Sequence, residues 1–275
     1  MLGAIAGDVI GSVHEWAGTK TKVFDILAPQ STFTDDSVLS VAVAEWILEG
    51  KDLVDLLQRY TRDFPGRGFG GMFYRWARSE SREPYGSYGN GSAMRVSPVG
   101  FAFDTLEDVL TRSEQSAVVT HSHPEGVRGA QATAAAIFHA RRGHTKEQIR
   151  DSLEARFGYN LHTRLDDIRP TYGFDETCQG TVPQAIVAFL ESTSFEDAIR
   201  NAISLGGDAD TLACITGGIA EAYYGGVPQE LAGRVKGLLD KRLLSVVDRF
   251  QERFGLGPRE TVSGDASCSA GPIAS

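Results

Sequence analysis

Cysteine is scarce in this 275-residue chain: Cys178, Cys214 and Cys268 are the only three, widely separated. That excludes a disulfide framework and a cysteine-built zinc site. A surplus of positive charge is also missing, since 27 basic residues face 36 acidic ones, a net charge of −9. A protein that grips a nucleic-acid backbone needs a basic face, so general nucleic-acid binding is not expected. No apolar run is long enough to cross a bilayer. The stretch Val38 to Leu48 is interrupted by Ser40 and Glu45, and a spanning helix takes ~20 residues. The opening MLGAIAGDVIGSVHE has no basic leader, and Asp8 breaks its apolar run, which is unlike a signal peptide. These absences predict a cytoplasmic protein, monomeric and without a membrane partner. The remaining composition, 41% hydrophobic and 23% charged, is that of a folded globular chain.

Strand signals are equally thin. There is no alternating β-branched run bounded by turns, and Asn90-Gly91 sits in a glycine-rich stretch rather than between strands. Helical spacing dominates instead. It predicts helices over Asp35–Glu49, Leu53–Phe64, Leu106–Val119, Glu125–Arg142, Lys146–Phe157, Val182–Glu191, Phe195–Ser204 and Thr211–Tyr224, with a last one over Leu231–Phe254 that can break in two near Gly237. Asp35–Glu49 is apolar nearly all round, the pattern of a buried helix, and Gly50 is placed to stop it. Thr145 with Gln148 is a capping-box signal. The expectation is an all-α fold of about ten helices, one domain over residues 1–256, and a loose tail over 257–275 rich in Gly, Ser and Ala.

Two acidic clusters carry the chemical information: Thr34-Asp35-Asp36-Ser37 and Gly206-Gly207-Asp208-Ala209-Asp210-Thr211, each directly before an apolar helix. Ser, Thr and Asp are ordinary helix caps, and a carboxylate there gains about 0.5–1 kcal/mol. One carboxylate meets that need, whereas adjacent ones repel. Four carboxylates and two threonine oxygens instead form a hard, all-oxygen set of the kind Mg²⁺ or Mn²⁺ prefers. If the two helix starts meet in space, they can hold two ions that share a carboxylate. Other segments are weaker. Pro84 to Arg95, with Gly86, Gly89 and Gly91, is either a turn or a loop that cradles phosphate. In Thr120-His121-Ser122-His123-Pro124 one histidine is expected to meet a substrate or cap a helix. Glu15 alone reads as a surface glutamate.

Taken together, the segments G-A-I-A-G-D-x-x-G-S, T-D-D-S, G-S-Y-G-N-G-S-A-M-R-V, T-H-S-H-P and G-G-D-A-D-T, in this order from Gly3 to about Gly226, resemble the ADP-ribosylglycohydrolase family. The resemblance implies an all-α fold around two Mg²⁺ ions and cleavage of the glycosidic bond at C1″ of ADP-ribose. It implies Thr34, Asp35, Asp36, Asp208, Asp210 and Thr211 as metal ligands. Gly86, Ser87, Tyr88, Gly89, Asn90 and His121 would contact the substrate, and Glu15 would be the glutamate of a mobile flap. In that scheme Asp35 helps activate the attacking water and Glu15 protonates the departing oxygen. Partners would be ADP-ribosylated proteins or small ADP-ribose conjugates. Ser87 stands where the arginine-linkage branch carries aspartate, which favours the O-linked branch. Two rivals stay open: a helical metal-dependent phosphohydrolase, and a family member that binds ADP-ribose without turnover.

Overall fold

The computed structural model describes residues 1–255; the expected tail lies outside them. The regular elements of the described chain are helices: α1 (Leu2–Gly11), α2 (Asp35–Glu49), α3 (Leu53–Asp63), α4 (Gly71–Arg78), α5 (Gly91–Met94), α6 (Ser97–Ala102), α7 (Leu106–Val118), α8 (Pro124–Arg141), α9 (Lys146–Phe157), α10 (Leu165–Ile168), α11 (Cys178–Leu190), α12 (Phe195–Ile203), α13 (Ala209–Tyr224), α14 (Gln229–Leu238) and α15 (Lys241–Phe254). Among the described residues there is no strand, only an isolated bridge between Gly89 and Thr177. The all-α expectation holds. No helix in this range is long and apolar enough to cross a membrane.

The long helices fall where the apolar spacing puts them. Thr34 caps α2 by accepting from the Asp36 amide, and Gly50 closes it in the left-handed region at φ 64°. The Thr145–Gln148 capping box is formed at α9. The surplus over ten comes from the short α4, α5, α6 and α10, of four to eight residues, too short to show a period. The last predicted helix does break near Gly237, at Leu239–Asp240, where Asp240 caps α15 through the Arg242 amide. Gly237 stays inside α14.

At the centre lies α13, buried from Ala209 to Ala222 and packed against α1, α8, α11 and α12. Its tightest neighbour is α1, which presents Gly3, Gly7 and Gly11 at four-residue spacing, one face of a helix. A Cβ built on Gly7 would lie 1.9 Å from the Ala213 carbonyl oxygen, one on Gly3 2.3 Å from that of Gly217, and one on Gly11 2.4 Å from the Asp210 Cα. Only glycine lets the two backbones touch, and that contact carries Asp8 of α1 toward the start of α13. On the other side α2 packs against α1, α3, α6 and α15, so Thr34 to Ser37 arrive at the same end.

Gly7→Ala should therefore lower stability by about 3 kcal/mol, at the upper end of overpacking effects because the obstruction is backbone. Urea unfolding followed by circular dichroism measures it. A midpoint equal to wild type would mean that the α1–α13 contact is not as close as described.

Candidate active site and metal centre

The two acidic helix starts, separated by about 170 residues of sequence, converge. Carboxylate oxygens of Asp8, Asp36 and Asp210 lie within 4.8 Å of one another, and so do those of Glu15, Asp208 and Asp210. Asp210 belongs to both groups, as a shared ligand between two cations would. Glu15, Asp36, Asp208 and Asp210 line a cavity of about 530 Å³, a volume typical of small-molecule sites, with Asp8 buried behind them.

The sequence-named residues sort plainly. Glu15, Asp35, Asp36, Ser87, Tyr88, Gly89, Asn90, His121, Asp208, Asp210 and Thr211 all line the cavity. Asp35 does so outside the two tight oxygen groups. Thr34 and Gly86 are not in the wall. The Thr34 hydroxyl donates to Asp8 Oδ1 at 2.6 Å, and Gly86 is an exposed turn residue at φ 69°.

Asp8 is the residue that spacing alone did not single out. It is fully buried and accepts from the Thr34 amide at 3.0 Å, the Ser37 amide at 3.1 Å and both hydroxyls. One carboxylate thus fastens α1 to the first turn of α2 and sets the direction of Asp36. Asp36 Oδ2 accepts from Thr211 Oγ1 at 3.3 Å, while Asp36 Oδ1 is buried without a hydrogen-bond partner. A buried, unpaired carboxylate oxygen facing other carboxylates is costly in a protein interior. With the all-oxygen donor set, it fits a hard divalent cation held by Asp36, Asp210, Asp208 and Thr211.

The glycine loop forms one wall. Its antiparallel bridge pairs the Asn90 amide with the Glu176 carbonyl at 2.7 Å and the Cys178 amide with the Tyr88 carbonyl at 2.9 Å. The Ser87 and Gly89 amides are also paired, with the Thr120 carbonyl and the Ser87 hydroxyl, so fewer amides are free for a phosphate than the glycine content suggests. Asn90 Nδ2 donates to Asp208 Oδ2 at 2.6 Å, joining loop to acids. Of the two histidines, His123 caps α8 through the Glu125 amide and His121 lines the cavity. Burial, then the neighbouring Arg95 guanidinium, holds the His121 imidazole well below its usual pKa.

Residues 12–33 form a long irregular segment between α1 and α2 that carries Glu15. It is strapped down by Lys20, which donates to the Tyr172 and Leu205 carbonyls, and by Arg200, which donates to the carbonyls of Lys22 and Phe24 at 2.8 Å. Beside Glu15, exposed Trp16 stacks on Phe174 at 5.0 Å. Partial burial, then Asp208, Glu176 and Asp8, push the Glu15 carboxyl up to about 7. Burial and mutual repulsion raise Asp35, Asp36 and Asp210 well above the usual carboxylate range, and burial raises Asp8.

The fold and site define an all-α protein with clustered carboxylates that could bind metal, lining a ligand-sized cavity. The ADP-ribosylglycohydrolase family model matches residues 1–259. The chain belongs to that family, whose members are hydrolases acting on ADP-ribosyl linkages. It is 29% identical to "ADP-ribosylhydrolase ARH3" of Xenopus tropicalis over 300 aligned residues, covering 82% of this chain and 86% of that one. To the Homo sapiens protein of the same name it is 27% identical over 305, covering 82% and 84%. A solved structure titled "ADP-ribosylglycohydrolase-related protein complex" superimposes with a TM-score of 0.65 at 25% identity, covering 92% of this chain and 96% of its own.

The raised carboxyls have a consequence for stability. They hold protons in the folded chain at a pH where the unfolded chain has released them, so folding takes up protons there. Stability of the metal-free protein should thus fall as pH rises from about 5 to 7, and a bound divalent cation should cancel the loss by offsetting the repulsion. Thermal unfolding in EDTA and in millimolar Mg²⁺ across that range tests this. Equal melting temperatures in both at pH 7 would contradict the cation site.

Proposed function

We propose that this protein is a Mg²⁺-dependent hydrolase of the C1″ glycosidic bond in O-linked ADP-ribose, on a serine side chain or in a small ester such as O-acetyl-ADP-ribose. The observation that carries the reading is the meeting of Asp36, Asp208, Asp210 and Glu15 in one cavity beside the glycine loop. The ARH3 relatives add support, as does Ser87 in place of the aspartate expected of the arginine-linkage branch.

Asp36, Asp208, Asp210 and Thr211 would hold a pair of Mg²⁺ ions, with Mn²⁺ able to replace them. The pair supplies Lewis acidity and a fixed frame for vicinal ribose hydroxyls. Ser87, Tyr88, Gly89 and Asn90 receive the diphosphate and distal ribose. Asp35, in the wall but outside the tight oxygen groups, takes a proton from the attacking water. Glu15, with its carboxyl near neutrality, gives a proton to the departing oxygen, a role that requires a carboxyl protonated at working pH. The C1″–O bond to the side chain breaks, a C1″–OH forms, and free ADP-ribose leaves. Carboxylates around C1″ stabilise the positive charge that develops there.

A panel of serine-, arginine-, Asp/Glu- and acetyl-linked ADP-ribose, each assayed with Mg²⁺ and with EDTA, tests the reading. Release from the serine or acetyl conjugate in Mg²⁺ and none in EDTA is expected. Turnover confined to the arginine conjugate would overturn the O-linked assignment. Glu15→Gln should lower kcat by about 10²–10³-fold, and Asp210→Ala should abolish turnover while keeping the helical circular dichroism spectrum. Full activity of either variant would remove that residue from the scheme.

A further inference from the structure

Arg95 and Thr120 belong to the sequence motifs yet have no part in the chemistry above. Both are fully buried. Arg95 follows α5, and its guanidinium can only donate. Its Nη2 gives hydrogen bonds to the Ser116 carbonyl and to Thr120 Oγ1, each at 2.8 Å. On its other side Thr120 Oγ1 lies 2.7 Å from His121 Nδ1. The Thr120 hydroxyl has one proton to place, and among the described residues its remaining partner is that ring nitrogen. If Nδ1 carried a proton instead, two donors would converge on one oxygen and the hydroxyl proton would be buried unpaired, a cost of about 1–3 kcal/mol. Nδ1 therefore accepts, and the ring proton sits on Nε2.

Nε2 faces the glycine loop. A Cβ on Gly91 would stand 3.2 Å from it and one on Gly89 3.6 Å, so the glycines leave the space beside this nitrogen open. A doubly protonated ring is disfavoured because it would set a second buried cation near Arg95. Tyr85, the other ionisable ring nearby at 6.0 Å, is neutral, with burial pushing its hydroxyl up to about 12.

We propose that Arg95 and Thr120 are positioning residues that fix His121 as a neutral, Nε2-protonated donor aimed into the cavity, where it takes a ligand oxygen that bears no proton, as on a diphosphate. Only the identity of that oxygen rests on the function proposed above. A histidine held in this way cannot remove a proton from water, which leaves proton transfer to the carboxylates.

Imidazole ¹⁵N NMR of the full chain, free of metal and substrate, tests the relay independently of any hydrolase activity. His121 is expected to show a bare Nδ1 and a protonated Nε2 at neutral pH. A protonated Nδ1, alone or with Nε2, would overturn the proposal. Thr120→Ser should keep the pattern, and Thr120→Val should move the Nδ1 resonance toward that of an unbonded nitrogen. Arg95→Met should raise the pH at which the ring takes a second proton. An unmoved Nδ1 signal in Thr120→Val, or an unmoved titration in Arg95→Met, would refute the relay. In calorimetry with Mg²⁺ and ADP-ribose, Thr120→Val should bind about tenfold more weakly, the worth of one charge-assisted hydrogen bond, and Thr120→Ser like wild type. Wild-type affinity in Thr120→Val with an altered Nδ1 signal would overturn the ligand-facing role.

Discussion

The contact between α1 and α13 is the constraint on which the site depends. Three glycines one turn apart let the backbone of α1 rest on the carbonyls of α13, closer than any side chain permits. The approach has a chemical purpose, because Asp8 and Asp210 lie on these two helices and their carboxylate oxygens must come within a few ångströms of each other. Packing through side chains would hold helix axes 8–10 Å apart and carry Asp8, with the start of α2 that it fastens, away from Asp210. Main-chain contact thus sets the width of the oxygen cage.

That geometry works against the folded state. Buried carboxylates facing one another lose hydration and gain repulsion, and among the described residues no basic side chain forms an ion pair with Asp8, Asp36, Asp208 or Asp210. Two devices limit the damage. Asp8 is saturated by amides and hydroxyls of Thr34 and Ser37, which turns one acid into a structural joint. At Asp36 one oxygen stays without a hydrogen-bond partner, where a cation would offset the charge. The site is therefore a region of local instability held by a large apolar core, a common condition where binding needs groups that folding does not.

Much of this was legible in the sequence. The Asp35–Glu49 helix announces itself by an apolar run with a threonine cap before it and a glycine behind it. The two acid strings stand out because one cap needs one carboxylate. What escaped has physical reasons. Asp8 interrupts an apolar run, and its partners lie 26 and 29 positions further on, so no local rule connects them; the Gly3–Gly7–Gly11 stripe was the available signal. Four-residue helices such as α5 contain too little sequence for a period. The final break does fall near Gly237, at Leu239–Asp240, its position set by the aspartate that caps the new helix. Thr34 serves two partners at once: its hydroxyl accepts from the Asp36 amide and gives its proton to Asp8.

The lone bridge joining Gly89 to Thr177 has a mechanical meaning. Through it the glycine loop and the segment before α11, which both line the cavity, are tied by main-chain bonds rather than by side chains free to rotate. The loop and that segment are thus one continuous piece of wall, and a shift of either carries the other with it.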